Sequence, residues 1–301
     1  MPAYIVSEVA ELVLDLPPKM AKMDWMSPYI WRKRGSYCAL VRGVPCPLGA
    51  DDPTGIIFCG ESPDGIHLKL DAKPAITPGP DCFDAGGVED PTLARGDHQV
   101  LVFYTGVEET RRQGSLLVAR GRDLLHLEKS HVALKAPEGA GNIKEATLAE
   151  LPGGDWLLFY EYAQQNASRI GVARAKSLDG EWEVLPDPFT VREDSWDNWH
   201  LSTGPIVRFG DHDPVMFYNG ATVDARWRIG WISFAPDFSK VTGRGVEPVL
   251  MPPPPEDRAA TDIAFAASAL VEDGGISLWY SLEDRRLMRA RIAVYDRPVS
   301  R

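Results

Sequence analysis

Apolar and polar positions alternate along this chain in short, strand-sized runs, and one arrangement of runs returns with variations. EDPTLARGDHQVLVFYTG is followed by KEATLAELPGGDWLLFYEY, STGPIVRFGDHDPVMFYNG and DIAFAASALVEDGGISLWYS. Each copy opens on a polar pair, continues as an apolar strand, reverses at a Gly/Asp turn and closes a second apolar strand on a tyrosine. The closing residues Tyr104, Tyr160, Tyr218 and Tyr280 lie 56, 58 and 62 residues apart, the period of a propeller blade with a long connection. A weaker first copy, SPYIWRKRGSYCALVRG, places Val41 about one period before Tyr104.

Further strands follow each hairpin. GIIFCGESPDGIHLKL, GSLLVARGRDLLHLEK, RIGVARAKSLDGEWEVL and RIGWISFAPDFSKV carry alternating runs, and the Ser-Pro-Asp-Gly and Ser-Leu-Asp-Gly tetrads are turn chemistry. The pattern predicts an all-β chain, a five-bladed β-propeller of antiparallel four-stranded blades around a central funnel. The blades span 20–80, 81–138, 139–195, 196–255 and 256–301 within a single domain. The last unit ends early, at RLMRARIAV, while YIVSEVAELVLDL near the amino terminus is a strand without a unit. Residues 1–19 are therefore expected to cover the outer edge of the last blade and close the ring, since an unpaired edge invites aggregation.

Composition narrows the class. With 44% hydrophobic residues, 9 Trp, 10 Phe and 9 Tyr, there is enough apolar material to fill the space between packed sheets. A net charge of −11 with scattered basic residues gives no support for binding a phosphate backbone, so nucleic acid is not an expected partner. No apolar run approaches the ~20 residues needed to cross a bilayer as a helix, and no signal core opens the chain, so no membrane partner and a cytoplasmic location are expected. Cys38, Cys46, Cys59 and Cys82 lack CxxC spacing and read as reduced thiols. No histidine pair stands with carboxylates at ligand spacing, so no metal and no cofactor are expected.

The chemistry should lie where inner strands converge at one mouth of the channel. Their starts are Ser27-Pro28, Glu89-Asp90, Lys144-Glu145, Ser202-Thr203 and Thr261-Asp262. Packing alone does not call for such a polar ring, because an unpaired buried carboxylate costs several kcal/mol or shifts its pKa. A second ring follows the tyrosines or their equivalents: Arg42, Thr105, Glu161, Asn219 and Ser281, with Glu283 and Asp284 just beyond. Hairpin geometry should set Glu161 beside Lys144 and Glu145, and Asn219 beside Ser202 and Thr203. The aromatic connection DSWDNWHLSTG adds Trp196, Trp199 and His200; the other histidines, His67, His98, His126, His131 and His212, fall in turns or outer strands. Carboxylates, hydroxyls, an amide and aromatic rings around one pocket suit a sugar, whose glycosidic bond is cleaved by a positioned acid with a base or nucleophile opposite.

Gly87-Val88-Glu89-Asp90-Pro91 resembles the Gly-x-Glu-Asp-Pro-Arg signature of glycoside hydrolase family 130, five-bladed propellers that act on β-mannosides as inverting phosphorylases or hydrolases. Leu40-Val41-Arg42, Ser62-Pro63-Asp64-Gly65, Lys144 and Tyr280…Asp284 extend the resemblance over most of the chain. It implies that Asp90 is the proton donor, that Glu89 binds sugar hydroxyls or orients Asp90, and that Asp284 holds the nonreducing sugar. Thr92 departs from the signature's arginine, and Asn219-Gly220 stands where phosphorylases usually carry His-Gly. Both changes weaken a phosphate site and favour hydrolysis, with Glu145 or Glu161 as base. Lys144 and Arg228 keep phosphorolysis with inorganic phosphate as the alternative. Arg42, His200, Ser202, Asn219 and Asp262 complete the expected substrate-binding set. Families 43 and 32 are poorer fits, because their base aspartate would fall at Ser27 or Tyr29. A propeller that binds a glycan without turning it over is the reading from outside enzymology.

Overall fold

A computed structural model describes residues 2–80, 83–96, 99–111, 113–136, 141–254 and 261–296. Cys82, His98 and part of the proline-rich stretch before Asp262 lie outside the described residues. The chain is all-β; among the described residues the one helical element is a 3-10 turn at Pro18–Met20.

Strands β1 (Pro2–Glu11) and β2 (Val13–Asp15) precede β3 (Met23–Lys33), β4 (Ser36–Pro45), β5 (Ile56–Ser62) and β6 (His67–Ile76). Next come β7 (Gly87–Arg95), β8 (Val100–Val107), β9 (Gly114–Gly121) and β10 (Leu127–Leu134), then β11 (Gly141–Glu150), β12 (Trp156–Gln164), β13 (Ala167–Ala175) and β14 (Glu183–Leu185). The following region is broken into shorter pieces: β15 (His200–Ser202), β16 (Ile206–Val207), β17 (Val215–Met216), β18 (Asn219–Ala221), β19 (Trp227–Ile229), β20 (Ile232–Phe234) and β21 (Val241–Arg244). The last strands are β22 (Ala264–Glu272), β23 (Gly275–Leu282) and β24 (Arg286–Asp296).

Three runs form meanders of neighbouring antiparallel strands, β3 to β6, β7 to β10 and β11 to β14. The broken region makes two small sheets, β15-β18-β19 and β16-β17-β20-β21. They abut through backbone bonds from Phe217 N to Pro205 O (2.9 Å) and from Gly230 N to Tyr218 O (2.9 Å). Gly204 is required at that break, since a Cβ there would lie 1.9 Å from Phe217 O.

The amino-terminal segment serves two sheets. β1 pairs antiparallel with β24 at the outside of the β22-β23-β24 sheet, and β2 crosses to pair in parallel with β6. The first pairing follows from a strand-like run in need of a partner. The second does not show in the sequence, because a three-residue run carries no register signal.

First strands of successive sheets neighbour one another in a closed cycle, β3 to β7, β11, β16, β22 and back to β3. The aromatic pair ending each repeat shows what joins the sheets. Successive residues of a strand face opposite ways, so Phe103 packs toward the β11–β14 sheet while Tyr104 packs toward β3–β6. Phe159 and Tyr160 divide in the same manner, as do Phe217 with Tyr218 and Trp279 with Tyr280. These second strands are buried on both faces, hence their unbroken apolar runs; β6, at the outside, alternates buried and exposed.

Tyrosine hydroxyls also hold the connections. Tyr104 donates to Asp84 (3.0 Å) and Tyr218 to Asp197 (2.6 Å), and both aspartates are fully buried. Arg192 and Arg244 neutralise Asp197, and Lys129 neutralises Asp84, as buried charge requires. Cys38, Cys46 and Cys59 are free thiols.

Candidate active site

Four first strands are interrupted by a bulge, β22 between Ala266 and Ser268 and three others at their polar starts. Pairing skips between Met26 and Tyr29, between Glu89 and Thr92, and between Lys144 and Ala146. The residues pushed out of register, Ser27, Asp90 and Glu145, all take a left-handed backbone, with φ of 50°, 50° and 53°. In a regular strand Glu89 and Asp90 would face opposite sides; the bulge turns both toward Arg42. Pro28 and Pro91 fit because a bulged position needs no ladder donor. Glu283 (56°) and Asp284 (50°) repeat this backbone at the turn after β23. Five non-glycine residues in a region costing of order 1–3 kcal/mol each are thus gathered at one mouth of the strand cycle, as strained residues gather at functional sites.

Arg42 organises the centre. Its guanidinium donates to Glu89 Oε1 at 2.6 Å and Asp90 Oδ1 at 3.4 Å, and is anchored on Thr54 O at 2.8 and 3.1 Å. Lys144 Nζ donates to Glu89 Oε2 at 3.1 Å. Burial pushes the Glu89 carboxyl up, but the two cations outweigh it and hold Glu89 below the usual carboxylate range. Burial likewise opposes the charge of Arg42, and Glu89 and Asp90 more than restore it. Asp90 is 5% exposed and accepts from Ser27 Oγ at 2.6 Å, while its Oδ2 accepts nothing from the described residues.

At the remaining acids burial outweighs the same cations. Glu145 is tied through its backbone, its N–H donating to Thr105 Oγ1 at 3.2 Å. Burial, then the charges of Asp90 and Glu161, push its carboxyl well above the ordinary range. Burial raises Glu161 too, against a hydrogen bond from Ser168 Oγ at 2.7 Å. The buried Ser202 hydroxyl beside it opposes that rise as well. Burial raises Asp284, opposed by Arg42. Carboxyls crowded into one poorly solvated mouth with two cations share protons, the condition under which acid and base can coexist near neutral pH.

The expected second ring forms as the hairpins require. Glu89 lies opposite Thr105, Lys144 opposite Glu161 and Ser202 opposite Asn219. Ser281 Oγ accepts the Ser27 N–H at 2.9 Å, linking the last sheet to the first.

Three expectations need correction. Thr261-Asp262 is not the fifth strand start: β22 begins at Ala264, and Phe265 stands opposite Ser281. Asp262 pairs through Oδ2 with Arg226 at 2.6 Å, while the neighbouring Thr261 hydroxyl hydrogen-bonds Asp284. Asn219 has no free amide for a ligand, since it donates to Thr203 O (2.9 Å) and Ala266 O (3.3 Å) and accepts from Ala266 N (2.7 Å). It ties two sheets together. Arg228 donates to Trp196 O at 3.3 Å, and its charge is opposed by burial and by Arg226 rather than drawn into the carboxylate group. Trp196 is a packing residue, stacked on Tyr218 at 5.6 Å.

His200 is at the same mouth. Its Nδ1 accepts the Ser168 N–H at 3.1 Å, and burial with Arg169 lowers its pKa, so the ring is neutral with its proton on Nε2. Ser27, Ser168, Trp227 and Phe265 were not among the expected site residues. Ser27 was legible as a strand start, whereas Ser168 reaches Glu161 only through the β12–β13 hairpin. Thr92 Oγ1 donates to Ala146 O at 2.6 Å, a structural bond between β7 and β11. The Ser62–Gly65 tetrad is a turn, with Asp64 Oδ1 accepting from Ile66 N and His67 N. A concavity of about 780 Å³ lies elsewhere, lined by Phe159, Val172 and Phe234.

No protein-family model and no curated protein sequence matches the chain. Solved structures match nearly throughout. β-1,2-Mannobiose phosphorylase from Listeria innocua, in complex with β-1,2-mannobiose, superposes with a TM-score of 0.76 at 17% identity, covering 92% of each chain. A structure described under the family-130 mannoside phosphorylases as containing hydrolases of β-1,2-mannosidic linkages in Candida mannan gives 0.72 at 19%, covering 91% of this chain and 84% of its own. A mannose phosphorylase from Leishmania mexicana, in complex with phosphate ion, gives 0.69 at 14%, covering 96% and 88%. The chain has a fold like that of glycoside hydrolase family 130.

Proposed function

We propose that the chain is an inverting glycoside hydrolase acting on a β-mannoside or a related oligosaccharide. On this reading the two short sheets of residues 200–244 are the two ends of one irregular blade, which makes five blades. The structural neighbours, described as acting on mannosides, support the substrate class.

One observation carries the reading. Asp90, Glu145 and Glu161 share one mouth, while the cations that would hold phosphate are engaged or missing. Arg42 and Lys144 both bind Glu89, and the positions of the two departures, Thr92 and Asn219, hold backbone carbonyls. Asp90 delivers its proton to the glycosidic oxygen, directly or through a sugar hydroxyl. Water attacks the anomeric carbon from the opposite face, and Glu145 or Glu161 takes its proton as the carbon–oxygen bond breaks. Atoms balance: one water enters, two free sugars leave, and the proton lost by Asp90 is matched by the one gained by glutamate. Glu89 stays ionised and keeps Arg42 and Lys144 in place for the sugar hydroxyls, and Asp284 holds the nonreducing unit.

Phosphorolysis is the second reading, favoured by the phosphorylases among the neighbours. Product release from β-mannosides with and without inorganic phosphate, for the wild type and Asp90→Asn, separates them. Hydrolysis predicts turnover indifferent to phosphate and abolished in the variant. Mannose 1-phosphate formed only with phosphate would replace it with phosphorolysis, and glycan binding without turnover by both proteins would leave a binding propeller.

A further inference from the structure

The connections from β4 to β5 and from β8 to β9 both stand above the carboxylate mouth, because Arg42 and Thr105 lie near the ends of the strands that enter them. In the first connection residues 46–51 are exposed throughout, so apolar burial does not fix them. One guanidinium does. Arg111, from the second connection, donates to Gly49 O at 3.3 and 3.4 Å, to Ala50 O at 2.5 Å and to Asp52 O. It has no carboxylate partner among the described residues, and its backbone is left-handed, with φ of 58°, a conformation disfavoured for any residue but glycine. An arginine held in this way, its donors occupied by carbonyls of the neighbouring sheet's connection, is a latch rather than a surface charge.

Thr54 is what the latch controls. It closes the same connection just past Asp52, and its carbonyl accepts from Arg42 Nε at 3.1 Å and Nη2 at 2.8 Å. Its hydroxyl also helps to keep Glu89 below the usual carboxylate range. On the other side Thr54 N donates to Gly86 O at 2.9 Å and Val88 N to Gly55 O at 3.0 Å, and a side chain at Gly87 would strike Thr54 Oγ1. Asp52 tightens the turn that Arg111 clasps, its Oδ2 accepting from Gly49 N at 2.8 Å. The start of β7 and Arg111 therefore grip this segment from opposite ends, with Thr54 between them touching both members of the Arg42–Glu89 pair.

We infer that Arg111 is a positioning residue for the catalytic centre: by clasping the carbonyls of residues 49–52 it holds Thr54 against Arg42 and Glu89. This deepens and rests on the glycosidase reading. Arg42 in turn contacts Asp90 at 3.4 Å, so slack at Thr54 lets the guanidinium turn and loosens the placement of the acid. Loss of placement is felt in the transition state more than in substrate binding, and so in kcat more than in KM.

Turnover of β-1,2-mannobiose tests it in Arg111→Met, which keeps most of the stem, in Thr54→Val and in the double variant. Arg111→Met should lower kcat by about tenfold, with KM within about threefold and the melting temperature within about 3 °C of wild type. Because Arg111 acts through Thr54, the double variant should lose no more than the worse single variant, as residues acting in series are not additive. A readout independent of activity is the carbon-13 NMR titration of the Glu89 carboxyl, which should move to higher pH in Arg111→Met. Arg42, Lys144, Asp90 and Asp284 also surround Glu89 and are the same in both proteins, so the change reports Thr54. Full kcat in Arg111→Met, losses that multiply in the double variant, or an unmoved Glu89 titration would overturn the latch and leave the glycosidase reading standing. A wild type that cleaves no β-mannoside would overturn the glycosidase reading and, with it, the catalytic role of Arg111, even where the titration moves as expected.

Discussion

Replacing Arg42 with methionine tests the electrostatic account of the site most directly, because methionine keeps most of the stem and removes only the guanidinium. Glu89, 2% exposed, would lose its 2.6 Å partner and keep only Lys144 at 3.1 Å; Thr54 O would lose both donors, and Asp90 the weaker contact at 3.4 Å. Removing one partner of a buried ion pair typically costs about 3–5 kcal/mol. At roughly 2–4 °C per kcal/mol for a chain of this order, the melting temperature at pH 7 should fall by about 10 °C. The sign with pH follows from Glu89, whose pKa in the folded protein lies below its unfolded value. Its stabilisation is present above the unfolded carboxyl value of about 4.3 and is lost as pH falls through the folded value. The difference between wild type and variant should therefore be largest near neutral pH and shrink below pH 4. Circular-dichroism melts across that range measure it, and Arg42→Met with Glu89→Gln should recover at least half of the loss. A penalty below ~1 kcal/mol at pH 7, or a double variant that loses the sum of the two single losses, would refute the claim that Glu89 is ionised and held by Arg42.

Asp90→Asn should lower kcat by about 10²–10⁴-fold, the usual contribution of a general acid, while the melting temperature stays within a few degrees; a loss under tenfold would remove Asp90 from the acid's role. Glu145 has a folded pKa raised above its unfolded value, so the stability it contributes is present below about pH 4.3 and is lost as pH rises through the folded value. Glu145→Gln should accordingly melt higher than wild type at pH 8 and equally at pH 4, and a lower melt at pH 8 would contradict the crowding of acids around it. The acidic limb of the kcat profile should lie above the ordinary glutamate range if Glu145 or Glu161 is the base, and a limb at pH 4 or below would exclude both. Asn219→Ala breaks three bonds of a fully buried amide and should cost about 2–4 kcal/mol in urea melts, whereas a rise in KM with unchanged stability would return Asn219 to the substrate site.

The repeat itself carried most of the architecture, because strand alternation and turn residues are local properties. Glu89-Asp90, Lys144-Glu145, Arg42 and Glu161 were legible as a polar ring for the same reason: hairpin register places the end of a second strand beside the start of the first. Phe265 was missed because the polar pair Thr261-Asp262 imitates a strand start three residues early, and only the pairing with Ser281 reveals the level of β22. Asn219 misled for a different reason. An amide in a polar ring reads as a ligand group until its neighbours are known, and Ala266, its partner across the sheets, lies 47 residues away. Trp227 meets His200 and Phe265 only after three segments fold together.

Local chemistry in the sequence thus determined that the chain would make antiparallel β-meanders with paired aromatics for their faces and carboxylates at their inner ends. Tertiary structure decided which of those carboxylates are held ionised, which are crowded upward, and which polar residues merely tie sheets together. Whether a carboxyl ionises depends on the distance to Arg42 and Lys144 and on exclusion of water, and both arise only when strands distant in sequence converge on one axis.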